Sequence, residues 1–318
     1  MVRTIVYELL LLGRRLLRLF VYLYLPLIAM LVTLHFPWST DANFAEGRTA
    51  EELTLARRFY EAAYQPGQNG SRGRDYEETA AQATETYHIE GAIRQFVATY
   101  DLAGKKVLDV GSGRGHLQDA VADYTGLDLS PEVAQHYHKP FVVGSATDMP
   151  FPNHVFDAVW TVWVMEHIPL PQRAYEEMRR VVKPGGLLYL IVAWNVPSWL
   201  ADGLEVRPYA DFTLAGKLVK ATLPIRRSVP FRMAHIVPTR LTRLAAYRLI
   251  DTDVLLRYRR LHPNYDVYWQ ADSDAAVSLD RFESSLWFES RGDRCLNCEA
   301  GVNGLLDFGS PLIIRVRH

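Results

Sequence analysis

Apolar runs of strand length alternate with polar, helical stretches through the middle of this chain. The run 107–110 contains Asp109 and leads directly into glycines at alternate positions. Such a run predicts a buried strand, and the glycines let the following backbone turn tightly with no Cβ between it and a ligand. The run 125–128 predicts a second strand that also ends on an acid. Further strands are predicted at 156–160 and 187–193. The pattern indicates an α/β unit with a ligand-binding loop after its first strand.

The glycine-rich loop departs from two common nucleotide-binding motifs. A dinucleotide fingerprint needs its third glycine at position 116, which is His116. A phosphate-binding P-loop would close with Gly-Lys-Ser/Thr, and no such triplet follows the glycines here. The loop is therefore expected to pack against a small group that is uncharged or positively charged, close to an acidic side chain.

Several further motifs follow the loop in a fixed order. They are the Asp109-x-Gly111-x-Gly113-x-Gly115 loop, Asp128, and the segments 142–152, 156–160, 166–168 and 182–186. In this order they resemble the class I S-adenosylmethionine-dependent methyltransferases, in the group similar to the ubiquinone/menaquinone methyltransferases, over residues 85–195. The resemblance implies a Rossmann-like seven-stranded, mostly parallel sheet with helices on both faces and a closing antiparallel hairpin. It also implies S-adenosylmethionine as the cofactor.

The candidate cofactor-binding residues follow from this resemblance. They are Asp109, Gly111, Ser112, Gly113, Gly115, Asp128, Leu129, Ser145, Ala146, Asp148 and Met149. Asp109 and the glycines would face the methionine part of the cofactor. An acid at the end of a second parallel strand can accept from both ribose hydroxyls, which makes Asp128 the predicted ribose ligand. Asp148 and Met149 would lie beside the adenine, whose amino group would contact either Ser145 or Asp148.

His167 is the candidate catalytic residue. It follows the predicted fourth strand, and an imidazole titrates near neutral pH, so it could act as a general base toward a hydroxyl acceptor. A capping or packing role weighs equally for a histidine at a strand-to-helix boundary. The pair Asp272 and Asp274 is interpreted as a helix cap or a turn. Cys295 and Cys298 lack two further nearby zinc ligands, so no metal site is assigned and the pair is either redox-active or simply two thiols.

Composition excludes a bulk electrostatic partner. The 318 residues carry a net charge of −1 and are 49% hydrophobic, with no basic bias toward nucleic acid. Local basic clusters occur at 226–227 and 257–260. They are interpreted as a solvated or interface surface, or as contacts to anionic lipid headgroups. Oligomerisation is left open.

The amino terminus is expected to attach the protein to a lipid bilayer. Residues 19–36 lack a formal charge, follow Arg14, Arg15 and Arg18, and would extend roughly 27 Å as a straight helix, just short of a hydrocarbon core. A transmembrane helix is one interpretation, but it would place the catalytic domain opposite the cytoplasmic arginines. A helix broken at Pro26 that enters one leaflet and returns is favoured, with the catalytic domain cytoplasmic at the cell membrane.

The expected organisation has five parts. They are a hydrophobic membrane-anchoring segment (1–40), a helical linker or lid (41–100), the cofactor-binding core (101–195), a substrate-side insertion (196–275), and the closing hairpin (276–318), with its strands at 285–289 and 311–317. We expect methyl transfer to a lipidic or lipid-linked acceptor, including a glycan hydroxyl. The alternatives are a quinone-like small-molecule acceptor and a non-catalytic binding or scaffold protein with the same fold.

Overall fold

The computed structural model describes residues 2–35, 46–64, 71–249, 254–265, 270–299, 302–309 and 311–318. The strands are β1 (Lys106–Val110), β2 (Asp123–Asp128), β3 (Phe141–Val143), β4 (Phe156–Val162), β5 (Val182–Ile191), β6 (Tyr258–Arg260), β7 (Val277–Leu279), β8 (Arg294–Cys295) and β9 (Leu312–Arg315). The helices are α1 (Val2–His35), α2 (Glu46–Tyr64), α3 (Ser71–Thr86), α4 (Ile89–Thr99), α5 (Pro171–Val181), α6 (Leu214–Ala221), α7 (Leu223–Arg226), α8 (Val229–Leu249), α9 (Arg281–Glu289) and α10 (Val302–Leu306).

The central sheet has seven strands in the order β3-β2-β1-β4-β5-β9-β8. The first five strands of that order run parallel, and β9 runs antiparallel to both β5 and β8. This confirms the predicted seven-stranded, mostly parallel sheet. Strand order reverses between β1 and β4, so the loops after β1, β2 and β4 meet at one edge, where ligands of open α/β sheets bind.

Alternate strand residues pack on opposite faces of the sheet. In β5, Leu188 and Leu190 join a core with α5 and α9, whereas Leu187 and Tyr189 join a second core with α4. Successive side chains of a strand point to opposite faces, so both faces of this sheet are covered by helices. The predicted strands therefore read as nearly continuous apolar runs.

A second, two-stranded sheet lies against the edge of the main sheet where the loops after β1, β2 and β4 meet. Its strands β6 and β7 pair antiparallel, with Arg259 opposite Ser278. Just before β7, the Ala276 N–H donates to the Glu166 carbonyl at 2.8 Å. Glu166 belongs to a short 3₁₀ helix, Met165–His167, that follows β4. This bond ties the carboxyl-terminal half of the chain to the edge of the main sheet where the site forms.

Only one of the two strands predicted for the closing hairpin lies where it was expected. Residues 312–315 form β9, which agrees with the strand expected at 311–317. The strand expected at 285–289 is wrong, because those residues lie in α9. The Asp280 carboxylate accepts the N–H groups of Phe282 and Glu283, a helix cap that commits the segment to helix. The first strand of the pair is instead β8, whose Cys295 forms a disulfide with Cys298.

The amino-terminal helix α1 continues through Pro26. The expected break at Pro26 is therefore wrong: a proline removes one helical hydrogen bond and kinks a helix, but neighbouring turns can carry the helix past it. Among the residues that the structure describes, none of the helices combines the length and apolar character needed to cross a membrane. The expected transmembrane helix is not supported, and residues 36–40 of the expected anchoring segment lie outside the described ranges.

Candidate active site

The loop after β1 is bound to the end of β2. The N–H groups of Gly111 and Ser112 both donate to the Leu127 carbonyl, at 2.8 and 3.1 Å. Gly111 has a φ of +70°, and a Cβ there would lie 2.9 Å from the Val164 Cβ and closer still to both methyl groups. The loop therefore requires glycine at this position for its backbone conformation and for its contact with the segment after β4.

Tyr137 supports the same loop. Its hydroxyl lies 2.7 Å from Ser112 Oγ and 2.8 Å from the Gly113 carbonyl, and its ring lies beside Gly115. Sequence analysis did not identify Tyr137, because it follows a short 3₁₀ helix, Pro131–His136, and belongs to no motif. The contact arises only when the chain after β2 folds back on the glycine loop.

Asp109 is buried at the penultimate position of β1, just before the glycine loop. It is 3% exposed, and the Tyr124 hydroxyl donates to its Oδ2 at 2.8 Å. Burial raises the pKa of the Asp109 carboxyl to about 7, despite the hydrogen bond from Tyr124 and with a small contribution from the charge of Asp128. The side chain is therefore close to half-protonated at neutral pH.

Asp128 occupies the end of β2, as predicted. Its two carboxyl oxygens accept separate backbone donors, the N–H of Gly113 at 2.9 Å and the N–H of Ser130 at 3.0 Å. Burial raises the pKa of Asp128, although these donors favour the charged form. Each carboxylate oxygen can accept more than one bond, so the side chain retains acceptor capacity for a ribose diol. The Ser130 hydroxyl makes no capping hydrogen bond to the 3₁₀ helix Pro131–His136 that follows.

These elements surround a cleft of about 480 Å³. The predicted site residues on its wall are Asp109, Gly111, Ser112, Gly113, Asp128, Leu129, Ser145, Ala146 and His167. The cleft volume falls within the range of small-molecule sites. The glycine loop and strand-end acids fit a nucleoside-containing cofactor, for which Asp128 would hold the ribose and the backbone of the loop would approach the ligand closely.

Three of the predicted cofactor residues do not lie on the cleft wall. Gly115 packs against Tyr137, and Met149 is 3% exposed within the main core. Asp148 is paired in a short bridge with Ser145 but does not reach the cleft. Of the two expected adenine contacts, Ser145 is the one on the wall, where its hydroxyl lies 2.8 Å from Thr147 Oγ1. The assignment of Ser145 to the adenine stays a prediction.

Helices α2 and α3 contribute the other side of the cleft. Tyr60 and Tyr64 of α2 and Thr84 of α3 line it. Both helices fall in the stretch 41–100 that was expected to form a lid. The Tyr60 hydroxyl donates to Asp274 Oδ2 at 2.9 Å, and Glu52 pairs with Arg260. The predicted lid is therefore tied to the segments around β6 and β7.

His167 lies on the cleft wall beside a buried acid. Its Nδ1 is 3.5 Å from Asp274 Oδ2, and Asp274 is 1% exposed. Burial lowers the pKa of the imidazole, but the charges of Asp274, Glu166 and Asp272 outweigh it, so the pKa of His167 is raised above its ordinary value. The negative charge beside Nδ1 stabilises the protonated imidazole, which fits the general-base interpretation of His167, although Nδ1 makes no hydrogen bond to the described residues.

Glu166 adds a second buried carboxyl to this cluster. It is fully buried, and its Oε1 accepts the Ala193 N–H at 3.2 Å. Burial raises the pKa of Glu166 to about 7, and burial also raises the pKa of Asp272. Donor atoms of Glu166, His167 and Asp272 lie within 4.8 Å of one another, a spacing that a divalent cation could also bridge.

Asp272 and Asp274 are site residues that sequence analysis missed. They do lie in a turn, as predicted, and Asp272 has a φ of +63°. Their position beside His167 depends on β7 packing against the 3₁₀ helix after β4, more than 100 residues earlier in the chain. The two acids at alternate positions were the available signal, but nothing local distinguishes a site turn from an ordinary one.

A second cavity of about 700 Å³ adjoins the cluster. Asp272 lines it, as do Trp194 and Trp199 after β5 and Phe231 of α8. Tyr87 also lines it and packs edge-on against Trp163, which lines the cofactor cleft, with ring centroids 5.7 Å apart. The cluster around His167 therefore lies between the cofactor cleft and a separate cavity.

The buried carboxyl of Asp109 makes stability depend on pH. Its folded pKa of about 7 exceeds its ordinary value of 3.8, so its contribution favours folding below about pH 4 and is lost as pH rises through 7. We expect Asp109→Asn to be more stable than wild type at pH 8, by on the order of 3 kcal/mol, and no more stable at pH 4. Urea unfolding across this range measures the difference. Asp119→Asn, at an exposed carboxyl whose pKa is lowered by His138, is the control and should show no such gain.

The sheet order, the glycine loop and the two strand-end acids define a Rossmann-like enzyme domain that binds a nucleoside-containing cofactor. Residues 108–190 match the family described as "Methyltransferase domain". A ubiquinone biosynthesis O-methyltransferase of Pectobacterium carotovorum is 30% identical over 186 residues, which cover 52% of this chain and 74% of that protein.

Other relatives share a shorter part of their length. A sterol 24-C-methyltransferase of Gibberella zeae is 30% identical over 172 residues, 48% of this chain and 43% of that protein. A fatty-acid O-methyltransferase of Mycolicibacterium smegmatis is 36% identical over 124 residues, 33% of this chain and 45% of that protein. The chain thus spans less than half the length of these two proteins. It belongs to the class I S-adenosylmethionine-dependent methyltransferases, and S-adenosylmethionine is its cofactor.

Proposed function

We propose that this methyltransferase acts on a hydroxyl group of a lipidic or lipid-linked acceptor, such as a sugar hydroxyl of a membrane-carried glycan, at the cytoplasmic face of the cell membrane. The position of the His167 cluster carries the proposal. His167 is on the wall of the cofactor cleft, whereas Asp272 is on the wall of the second cavity. An acceptor that extends from the second cavity past Asp272 into the cofactor cleft would present its hydroxyl to His167, which faces the donor site.

The residues of the cluster have distinct roles in this proposal. The cofactor, when bound, supplies a methyl group already activated on a sulfonium, so the chain must mainly align the acceptor and remove its proton. His167 accepts that proton in its neutral form. Asp274, whose Oδ2 lies 3.5 Å from Nδ1, stabilises the imidazolium by its charge, and the Tyr60 hydroxyl donates to the same carboxylate.

Membrane attachment is supported by the surface of α1. Leu12, Leu16, Leu19 and Leu23 are exposed and, at about 100° per residue, share one helix face. Arg14 and Arg18 are exposed on the other side of the helix. Leu17 and Val21 are also exposed on the side of the arginines, so this part of α1 carries exposed apolar residues all round, interspersed with basic ones, a composition that suits a helix in a membrane interface. Further along α1, Tyr24 and Leu27 pack on Phe231, a wall residue of the second cavity, so the helix lies against the proposed acceptor site.

Relatives support two kinds of apolar acceptor. The names of the sterol and fatty-acid methyltransferases denote lipid substrates, and that of the ubiquinone biosynthesis enzyme denotes a quinone pathway. A quinone-like acceptor is accordingly the second candidate. Incubation with methyl-labelled S-adenosylmethionine and either membrane lipid extract or a reduced quinone separates them, because label enters the organic phase only with the accepted substrate.

Donor binding is tested by Asp128→Ala. We expect wild-type protein to bind S-adenosylhomocysteine in calorimetry and the variant to bind it about 100-fold more weakly, because two hydrogen bonds to a buried carboxylate are lost. Asp123→Ala, at the exposed opposite end of the same strand, is the matched control and should bind like wild type. Unchanged affinity in a folded Asp128→Ala protein would contradict the ribose role. Absence of binding by wild type would contradict the donor site itself.

Membrane attachment is tested by flotation with lipid vesicles. Wild type is expected to float with vesicles containing anionic lipid, and replacement of Leu12, Leu16, Leu19 and Leu23 by serine should reduce the bound fraction at least tenfold, because the buried apolar area is lost. Leu55→Ser, at an exposed leucine of α2, is the control. Equal flotation of all three proteins would exclude α1 as the attachment site.

A further inference from the structure

Helix α6 presents its apolar side chains to solvent. Leu214 and Leu218 are 75% and 62% exposed, and at about 100° per residue they share one helix face with the exposed Ala221. None of the residues of α6 is buried. A surface helix of a globular protein normally turns its apolar face toward the core, so the outward leucines of α6 call for a partner outside the protein.

The opposite side of α6 fixes the helix on the protein. Val219 packs against a cluster that contains Trp199. Lys220 Nζ donates to the carbonyls of Glu205 and Arg207, at 3.2 and 2.6 Å. The leucines therefore belong to a helix that is held in place, and their exposure is a property of the fold.

The loop before α6 extends the exposed apolar area. Val206 and Tyr209 are 51% and 49% exposed, and Lys220 Nζ lies 5.1 Å from the centre of the Tyr209 ring. A half-exposed tyrosine offers an apolar ring and a polar hydroxyl, a combination that is enriched at membrane interfaces. We refer to these side chains together as the α6 surface, which consists of Val206, Tyr209, Leu214 and Leu218, with Lys217 beside the leucines.

The charge of this part of the chain favours an anionic partner. Residues 212–249 contain eight lysines and arginines and no aspartate or glutamate, although the whole chain carries a net charge of −1. Four of the eight are exposed, namely Lys217, Arg227, Arg232 and Arg248. Basic residues attract anionic headgroups, and exposed leucines gain free energy by entering the acyl boundary. The two features together match an anionic lipid bilayer.

The α6 surface lies next to the second cavity. Trp199, which packs against the inner side of α6, also lines that cavity. Arg227 lines the cavity and its side chain is 57% exposed, so it marks where the cavity meets solvent. Other arginines on this wall come from α7, α8 and the segment around β6. A bilayer on the α6 surface would therefore lie close to the proposed acceptor site.

We infer that the α6 surface inserts into an anionic lipid bilayer beside the mouth of the second cavity, as a membrane contact separate from α1. The inference rests on the proposed function for its lipidic acceptor, which would pass from the bilayer into the cavity. Insertion buries the leucines and leaves the charged end of Lys217 at the headgroups. Both contacts belong to adjoining helices, because α1 packs on Ile225 of α7 and Phe231 of α8.

An environment-sensitive dye tests the insertion directly. The two cysteines of the chain form a disulfide, so Leu218→Cys provides a single thiol for attaching the dye NBD to the full-length protein. On addition of phosphatidylcholine vesicles containing phosphatidylglycerol, we expect its fluorescence to shift to the blue and to rise roughly threefold, because the dye leaves water for an apolar layer. Dye on Leu55→Cys, at an exposed position of α2, should not respond.

Two outcomes of the dye experiment would overturn the inference. A protein that floats with vesicles while the dye at position 218 stays in water would leave attachment through α1 intact and exclude the α6 surface. A dye that is already blue-shifted without vesicles, increasingly so at higher protein concentration, would mean that a second copy of the chain covers this surface instead.

Variants separate the apolar and the electrostatic contributions in vesicle flotation. The double change Leu214→Ser with Leu218→Ser should weaken binding about tenfold. Leu55→Ser with Val143→Ser removes two exposed apolar side chains elsewhere and should leave binding unchanged. Lys217→Gln should weaken binding about fivefold, and only to vesicles with phosphatidylglycerol, whereas Lys105→Gln, at another exposed lysine, should not. Equal losses in the variants and their controls would overturn the inference.

Methylation assays separate this inference from the proposed function. None of the residues of the α6 surface lines the cofactor cleft, so each variant should bind S-adenosylhomocysteine like wild type, which shows that it is folded. The double serine variant should methylate lipid extract in vesicles more slowly than wild type and detergent-dispersed extract equally fast. Equal rates in vesicles would overturn the delivery role of α6. Absence of lipid methylation by wild type would defeat the proposed acceptor, while the dye result would still decide the membrane contact.

Discussion

Replacing His167 by glutamine is expected to lower kcat roughly 10²- to 10⁴-fold, the usual contribution of a positioned general base. The affinity for S-adenosylhomocysteine should change less than twofold, because the imidazole acts on the acceptor rather than on the donor. Single-turnover methyl transfer with a hydroxyl acceptor measures the effect. His116→Gln is the matched control, since this histidine lines the same cleft but is exposed and lies in the glycine loop.

The pH profile distinguishes a base from a structural histidine. Activity should rise with pH through a pKa above 6.5, because the charges around His167 raise its pKa and only the neutral imidazole accepts a proton. Asp274→Asn should shift the rise in activity to lower pH, since it removes one of the charges that raise the pKa of His167. Full activity of His167→Gln, or an unchanged pH dependence of activity in Asp274→Asn, would exclude the proposed roles. Parallel assays with EDTA separate proton transfer from a requirement for a cation in the cluster.

Gly111→Ala is expected to weaken S-adenosylhomocysteine binding at least tenfold and to lower the free energy of unfolding by roughly 2–4 kcal/mol. The added Cβ would enter the space of the Val164 side chain, and its contact with the Val164 Cβ, at 2.9 Å, cannot be relieved by a rotamer change alone. A positive φ adds about 1–2 kcal/mol of strain for a residue with a Cβ. Calorimetric binding and urea unfolding measure the two effects.

Gly185→Ala separates backbone strain from steric conflict. Gly185 has a φ of +82°, and a Cβ there would meet nothing within 4 Å. We expect this variant to lose only the strain contribution and to bind S-adenosylhomocysteine like wild type, because Gly185 lies in β5 and not on the cleft wall. Equal effects of the two substitutions would show that strain alone explains the loss, and that the loop does not depend on its contact with Val164.

The parallel strands were predictable because their signals are local. Buried strands β1, β2, β4 and β5 are mostly apolar runs, and two of them carry an acid at or next to their last residue, Asp128 in β2 and Asp109 in β1. The segment 285–289 was wrongly predicted as a strand because its local signal is ambiguous. Its aromatic and aliphatic residues suit a strand as well as a buried helix, and the Asp280 cap that selects the helix lies just outside the run.

The site residues also fall into two groups, those with a local sequence signal and those without one. Asp109, Asp128 and the glycines lie beside their own strand ends, so their spacing along the chain already indicates a ligand loop. Tyr124, Tyr137 and Tyr60 reach the site from other elements and carry no motif. Met149 illustrates the opposite error, since it stands in the expected segment but packs into the core.

By itself, the sequence determined the class of enzyme, the cofactor loop and the two acids at the strand ends, because these features are encoded within short stretches of chain. Only the tertiary structure decided the environment of His167. Asp272 and Asp274 reach it through the packing of β7 against the end of β4, and the arginines of the second cavity converge from three separate elements. Such long-range contacts depend on the folding of the whole carboxyl-terminal half. Burial there raises the pKa values of Glu166 and Asp272, and neighbouring charges raise that of His167.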